Sequence, residues 1–422
     1  MSLQLDLFGH VGMAYTEAVG GMLDNATLYR EVAERAGIDH EQLDARAPIG
    51  AAGKLRSPLK RQIRWYQQTL KQLGVIERVE GKRGIWQLAE PVNKEGDLHR
   101  AKSGVRLVAF STDLGIAIWG RNQDIFPALR EEIALYVSST PYPLRTERAY
   151  GNPDQHAFVD FLCQSLEPIV CNLMPGGSVV LNLSNDVFEH KSPARSLYLE
   201  RTVIALHERL GLSLMDRIPW VNLSKPPAPT YWACRLNVPQ PRVQLTAAWE
   251  PIYWFTNDPS RINSDNRRVL KEHVERHIRL MEQGGARRTA TYGDGAYRIR
   301  ENSFGNITEG AIPRNVIIRG HTCSDTRQYR NHAEALGLRA HGAMQPTDIP
   351  EFFIRFLTEP GQLVVDNFGG TGRAALASER TGRRWAISEW ILQYLRGSAE
   401  LFRGFPGFEL HPALTAVGGA SC

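Results

Sequence analysis

A chain of 422 residues, 42% hydrophobic and 23% charged, has the length of two or three domains and the composition of a soluble globular protein. A formal charge of +5 is too small for that length to define a partner, and five scattered cysteines (Cys163, Cys171, Cys234, Cys323, Cys422) without a C-x-x-C pair exclude a disulfide framework and a structural zinc. Met1–Asp6 lacks the basic start and apolar core of a signal peptide, and no apolar run reaches the ~20 residues that span a bilayer. The expectation is a reduced, cytoplasmic setting without a membrane.

Residues 1–20 are weakly amphipathic and resist assignment. Asp24-Asn25 caps a helix over Ala26–Ala36, with Gly37 as its stop. A short helix follows near His40–Arg46. Ser57-Pro58 starts another, which the pattern runs to Leu73 and ends at Gly74. This helix carries Lys60, Arg61, Arg64 and Lys71 on one side, with Ile63, Tyr66, Leu70 and Leu73 facing inward. Two strand-like runs, Val75–Val79 and Ile85–Leu88, close on the basic turn Glu80–Gly84. Helices followed by a basic hairpin resemble a winged helix-turn-helix, a small α+β reader of duplex DNA; the alternative is an interaction or dimerisation domain of the same shape. Glu90–Asp97 reads as a linker, giving a first domain at 1–95.

From Val105 the pattern becomes strands alternating with helices, the mark of an α/β sheet. Strands are expected at Gly115–Trp119, Ile133–Val137, Ser178–Leu183 and Glu250–Phe255. Helices are expected at Phe158–Leu173, stopped by Pro175-Gly-Gly177, and from Ser192-Pro193 to Leu210. A proline-rich loop spans Trp220–Pro227. The catalytic half is thus set at 96–257. Residues 258–341 break the rhythm, with one helix expected at Val269–Met281 among many glycines, as functional insertions do. The last segment, 342–422, resumes with a helix at Ile349–Leu357, a strand at Gln362–Asp366, a glycine turn, a helix at Arg373–Arg380 and a strand at Arg384–Glu389; a loose tail is expected from Gly404. Basic charge is concentrated. Residues 51–90 hold nine Lys and Arg against three Asp and Glu, and residues 258–345 hold fifteen against ten. Two such segments fit a polyanion partner, or else two solvated faces.

Two stretches carry the chemistry. Asp366-Asn-Phe368-Gly369-Gly370-Thr371-Gly372 joins a strand to a helix, and glycines there permit positive φ and close approach of a ligand. Glu389 ends the next strand, where a carboxylate can accept both hydroxyls of a ribose. The turn lacks the G-x-G-x-x-G spacing that cradles a pyrophosphate, so a nucleoside without phosphates, such as S-adenosylmethionine, fits better than a dinucleotide. The alternative is an ordinary tight turn. Earlier, Ser139-Thr140-Pro141-Tyr142 ends a buried strand with a hydroxyl, backbone carbonyls held by proline and an aromatic ring. Such a group can seat the exocyclic amino group of a flat ring, or simply close a strand.

Together the two stretches resemble a family. Asp366–Gly372 is similar to the D-P-F-x-G-x-G cofactor motif of the amino-methylating DNA methyltransferases, and Ser139–Tyr142 to their S-P-P-Y catalytic motif. The catalytic motif precedes the cofactor motif, as in the circularly permuted β group. Tyr142–Arg145 with Tyr150–Asn152, Trp220–Pro227 and Pro350–Arg355 resemble the N4-cytosine enzymes of restriction–modification systems, across roughly residues 105–402.

The resemblance implies an α/β, Rossmann-like S-adenosylmethionine-dependent sheet with a target-recognition insertion at 258–341. It implies methyl transfer to the N4 amino group of a cytosine flipped out of double-stranded DNA. Ser139 and the Thr140 carbonyl would accept the amino hydrogens, Pro141 would hold the turn and Tyr142 would stack on the ring. Asp366, Phe368, Gly369, Gly370, Thr371, Gly372 and Glu389 would hold the cofactor. Arg145, Arg148 and Lys225 suit phosphates beside the flipped base; Arg287, Arg288, Arg298 and Arg300 suit guanine edges or phosphates; Asn122 and Asp124 suit the cofactor adenine or turn capping. A separately encoded restriction endonuclease is the companion such a system implies, in a bacterial or phage setting. Serine where the N6-adenine enzymes have D-P-P-Y leans towards cytosine only as a family tendency, which leaves N6-adenine methylation open; Thr140, which departs from S-P-P-Y, leaves open a silent DNA-binding scaffold.

Overall fold

The computed structural model describes residues 2–49, 54–72, 75–89, 99–144, 148–222, 244–245 and 247–415. The expected linker at 90–97, Arg145, Lys225 and most of the 220–227 loop lie outside the described residues.

The N-terminal unit begins with α1 (Ser2–Glu17), over the residues that the sequence left unassigned. Leu7, Val11, Ala14 and Tyr15 are buried on one face of it. There follow β1 (Met22–Asp24), α2 (Asn25–Arg35), α3 (His40–Asp44), a hairpin of β2 (Ala47–Ile49) and β3 (Lys54–Arg56), α4 (Pro58–Gln72), β4 (Ile76–Arg78) and β5 (Ile85–Leu88). The caps work as the sequence predicts. The Asp24 carboxylate accepts from the amides of Ala26 and Thr27 at 2.8 and 2.9 Å, and the Ser57 hydroxyl accepts from the Lys60 amide at 3.1 Å. An antiparallel sheet in the order β1-β5-β4 closes the unit. Its core is continuous with one face of the catalytic sheet, so the unit is docked rather than merely tethered.

The catalytic body opens with β6 (Arg106–Ser111), β7 (Gly115–Gly120), α5 (Asn122–Ile125), β8 (Ile133–Ser139), α6 (Phe158–Val170), β9 (Leu173–Asn182), α7 (Tyr198–Leu210), β10 (Ser213–Val221) and β11 (Trp249–Thr256). The insertion adds α8 (Glu275–Glu282), the hairpin β12 (Ala290–Tyr292) and β13 (Tyr297–Ile299), β14 (Ile317–Ile318) and α9 (Ser324–Ala335). The chain ends with α10 (Asp348–Leu357), β15 (Leu363–Asp366), α11 (Arg373–Arg380), β16 (Arg384–Glu389), α12 (Leu392–Ala399), β17 (Glu409–Leu410) and α13 (Pro412–Thr415).

Ten strands form one mixed sheet, ordered β14-β10-β11-β9-β8-β15-β16-β7-β6-β17. Its centre, β9-β8-β15-β16-β7, is parallel, while β11 runs antiparallel to β9 and β6 antiparallel to β7. From the neighbours β8 and β15 the chain winds outward in opposite directions. The crevice outside their carboxyl ends is the topological switch point where open α/β sheets bind ligands.

Several boundaries differ from the sequence reading. Pro175-Gly-Gly177 is not a helix stop but lies inside β9, which starts at Leu173. A Cβ on Gly176 would sit 1.8 Å from the Arg261 carbonyl oxygen, so passing backbone explains that glycine. α7 starts at Tyr198 rather than at Ser192-Pro193. The insertion helix is shorter than expected, Glu275–Glu282, after a 3-10 turn over Asn266–Val269. α9 was not legible, because it buries Asp325 and Thr326 beside Tyr329 and Ala333 instead of an apolar stripe. The tail after Gly404 is not loose where described, since β17 pairs with β6 and Leu414 is buried.

Candidate active site

β8 and β15 end side by side, and the two motifs leave them into one cavity of about 450 Å³. Ser139, Thr140, Pro141 and Tyr142 line it together with Asp366, Phe368, Gly369, Gly370, Thr371 and Glu389. Parallel pairing of adjacent strands thus joins stretches more than two hundred residues apart.

At the cofactor end, backbone and carboxylates interlock. The Asp366 carboxylate accepts from the Phe368 amide at 3.0 Å. Glu389 Oε2 accepts from the Gly370 amide at 2.9 Å and Oε1 from the Ile391 amide at 2.8 Å, with the Trp390 amide also directed at the carboxylate. Burial pushes Glu389 up to about 7 and Asp366 up to about 6. Gly370 and Gly372 have φ of 50° and 70°, and the Gly369 amide donates to the Ser388 carbonyl at 2.8 Å. A Cβ on Gly369 would meet Ile387 Cβ at 3.0 Å, so this turn is pressed against β16. Asn367 stands where the motif has proline, and its side chain explains the difference. It accepts from the Tyr136 hydroxyl at 2.8 Å and donates to the Ser165 carbonyl at 3.0 Å, tying β8 and α6 to the turn.

Arg373, at the start of α11, was missed by the motifs. It is 5% exposed and lines the cavity. Its Nη2 donates to the Asp325 carbonyl at 3.3 Å, whereas Nε and Nη1 are buried with no partner among the described residues. The Asp325 carboxylate is taken by Arg380, bidentate at 2.8 Å. A buried guanidinium with free N–H groups fits an anionic ligand such as the α-carboxylate of S-adenosylmethionine. With the Glu389 carboxylate and the glycine turn, these residues fit that cofactor.

At the other end, Ser139 is the exposed last residue of β8, paired in register with Asn182 of β9. The turn after it is clamped: Asn152 Nδ2 donates to the Tyr142 carbonyl at 2.7 Å, and its Oδ1 accepts from the Arg148 amide at 2.8 Å. Thr140 is buried and its hydroxyl has no partner among the described residues. Tyr142 is held strongly un-ionised, chiefly by burial and secondarily by the nearby Glu250 carboxyl. Glu250, Trp220, His321, His341 and Gln345 complete the wall. His341 stacks on Tyr150, centroids 5.1 Å apart at 6°, and burial lowers it to about 4, so it is neutral. Of these wall residues only Trp220, at the head of the Trp220–Pro227 stretch, had a sequence signal beyond residue type.

The weaker candidates scatter. The Asn122 amide donates to the Ser165 hydroxyl at 3.3 Å and the Asp124 carboxylate accepts from the Gly104 amide at 3.0 Å, both outside the cavity lining. Arg148 does line the cavity. Arg298 and Arg300 lie exposed at the β12–β13 hairpin. On α4, Lys60 pairs with Asp44, Arg64 donates to the Asn25 side chain, and Arg61 is exposed.

A mixed sheet with a parallel centre, whose switch point carries a glycine turn and a buried carboxylate around one cavity, has the architecture of an S-adenosylmethionine-dependent methyltransferase. The DNA methylase family matches residues 133–409. The chain is 31% identical over 295 residues to the type II methyltransferase M.PvuII of Proteus hauseri, covering 70% of this chain and 85% of that protein. A solved structure titled PvuII DNA methyltransferase (cytosine-N4-specific) superposes with a TM-score of 0.55 at 28% identity, over 74% of this chain and 94% of that one. The chain belongs to the DNA methylase family. Among its described residues no helix is long and apolar enough to cross a membrane.

Proposed function

We propose that this enzyme methylates the N4 amino group of a cytosine flipped out of double-stranded DNA, within a specific sequence. The observation that carries this reading is the single cavity holding both Ser139–Tyr142 and Asp366–Glu389. S-adenosylmethionine, when bound, supplies a methyl group made electrophilic by its sulfonium. Glu389 holds the ribose hydroxyls, the 369–372 turn makes room for the nucleoside and Arg373 takes the carboxylate. The N4 lone pair is delocalised into the ring. The Ser139 hydroxyl and Thr140 carbonyl each accept an amino hydrogen, which favours a pyramidal, more nucleophilic nitrogen as charge develops. Pro141 and the Asn152 clamp fix the turn, and Tyr142 stacks on the ring, so positioning supplies much of the rate.

The remaining assignments follow. Residues 1–95 form a winged-helix unit whose α4 presents Arg61, with Lys60 and Arg64, to duplex DNA; its order of helix, strand, two helices, a short hairpin, helix and two strands supports this. Residues 96–257 and 342–422 are the catalytic and cofactor halves, and 258–341 is the target-recognition region, with Arg298 and Arg300 on its exposed hairpin. Arg145 and Lys225 contact phosphates beside the flipped base. A separately encoded restriction endonuclease is the companion of such an enzyme, in a bacterial or phage cytoplasm. Treating unmodified DNA with enzyme and S-adenosylmethionine, then digesting to nucleosides for mass spectrometry, should yield N4-methyldeoxycytidine; N6-methyldeoxyadenosine instead would overturn the reading.

A further inference from the structure

The base end of the cavity holds a carboxyl that the catalytic motif does not use. Ser139, Asn182 and Glu250 stand on three consecutive strands of the sheet, β8, β9 and β11. Ser139 is level with Asn182, and Asn182 Nδ2 donates to Glu250 Oε2 at 3.2 Å. Asn182 is itself oriented by Gln345, whose Nε2 donates to Asn182 Oδ1 at 3.2 Å. Asn182 is opposite Ile252, so Glu250 lies two residues farther along β11 as well as two strands across, which sets its backbone about 12 Å from that of Ser139. A cytosine whose N4 is bonded at Ser139 reaches a side-chain partner at O2 up to about 10 Å away, ~4.5 Å across its edge plus a bond of ~2.9 Å at each end, a span within reach of two side chains that line the same cavity. Glu250 lines the cavity, with the phenol rings of Tyr142 and Tyr198 nearby from the motif turn and α7, and Asp186 and Arg148 beyond Tyr142.

We propose that Glu250 reads the far edge of the flipped base, donating a hydrogen bond from its neutral carboxyl to O2 of cytosine while Oε2 stays on Asn182. Adenine presents a C–H at the corresponding place, so the contact favours cytosine. This rests on the N4-cytosine reading above and supplies a specificity device that Ser139 lacks, since an amino group is common to both bases. Burial pushes Glu250 up to about 7, only partly offset by the Asn182 bond, so the donating form is populated near neutrality.

The test is methyl transfer to unmodified plasmid DNA, with the products resolved as nucleosides and S-adenosylhomocysteine affinity measured alongside. Glu250→Ala should lower kcat/KM for cytosine about tenfold or more, leaving O2 unpaired, while homocysteine-product affinity is unchanged. Glu250→Gln keeps both an N–H donor and an oxygen for Asn182. It should recover most of that loss and abolish the decline in rate that the parent shows as pH rises through about 7. Full activity in Glu250→Ala overturns the proposal. A Glu250→Gln enzyme as slow as Glu250→Ala also overturns it, because an ionised carboxylate would then be the working form. If the parent enzyme makes N6-methyladenine, the cytosine reading fails and this contact with it; N4-methylcytosine made at full rate by Glu250→Ala removes only the role of Glu250.

Discussion

The two ends of the cavity are built differently. At the cofactor end, carboxylate oxygens are already committed to backbone amides: Glu389 to Gly370 and Ile391, Asp366 to Phe368. That geometry is fixed by the strand–turn–helix backbone. At the base end, side chains set the shape through one another, Gln345 to Asn182 to Glu250, and Asn152 to the Tyr142 carbonyl. A backbone-made site is pre-organised and tolerates little change in the glycines. A side-chain-made site can be retuned residue by residue, which suits the part that must distinguish bases.

The comparison predicts a separation of effects. Ser139→Ala should cost about 10²–10³ in kcat, on the scale of losing one transition-state acceptor, while cofactor affinity holds in calorimetry; parental kcat would place the chemistry elsewhere. Gly369→Ala should act at the opposite end. Its Cβ would press on Ile387 at 3.0 Å, so cofactor Kd should rise about tenfold with kcat at saturating cofactor little changed. Parental affinity would show that the turn is not pressed against β16 when ligand binds.

Protonation offers a gentler probe. Glu389 and Asp366 are raised to about 7 and about 6, so the ligand-free fold binds protons more tightly than the unfolded chain does. The stability they contribute is full below their unfolded values and is lost as pH rises through those folded values. In the proposed contact ribose hydroxyls would donate to the ionised Glu389, so cofactor affinity should increase several-fold as pH rises through about 7. A flat profile, measured by titration calorimetry at both ends of that range, would exclude ribose contact by this carboxylate. The smallest effect belongs outside the cavity: Arg298→Ala or Arg300→Ala should reduce the salt slope of DNA binding by about 1 each with cofactor affinity untouched. Deleting residues 1–95 is a poor probe of DNA contacts, because that unit shares its core with the catalytic sheet and its loss would expose apolar surface.

How much was legible follows from how local each feature is. Helix starts at Asp24 and Ser57 were readable because a cap is a contact between near neighbours in sequence. The strands ending at Ser139, Asp366 and Glu389 were readable because central parallel strands are continuous apolar runs. α9 was not, because half of what it buries is polar and the partner of Asp325, Arg380, lies 55 residues away. Likewise Pro175-Gly-Gly177 carries a helix-stop signal, yet β9 uses it for the passage of Arg261.

The sequence alone thus determined the two motifs, their order and the chemistry each residue type permits, since these depend on local spacing and functional groups. Only the tertiary structure decided that Arg373 is a buried guanidinium without a carboxylate partner among the described residues, that Asn367 replaces a proline by bonding Tyr136 and Ser165, and that Glu250 stands two strands from Ser139. Burial, desolvation and register across a sheet are properties of neighbours in space, and a chain read in one dimension does not contain them.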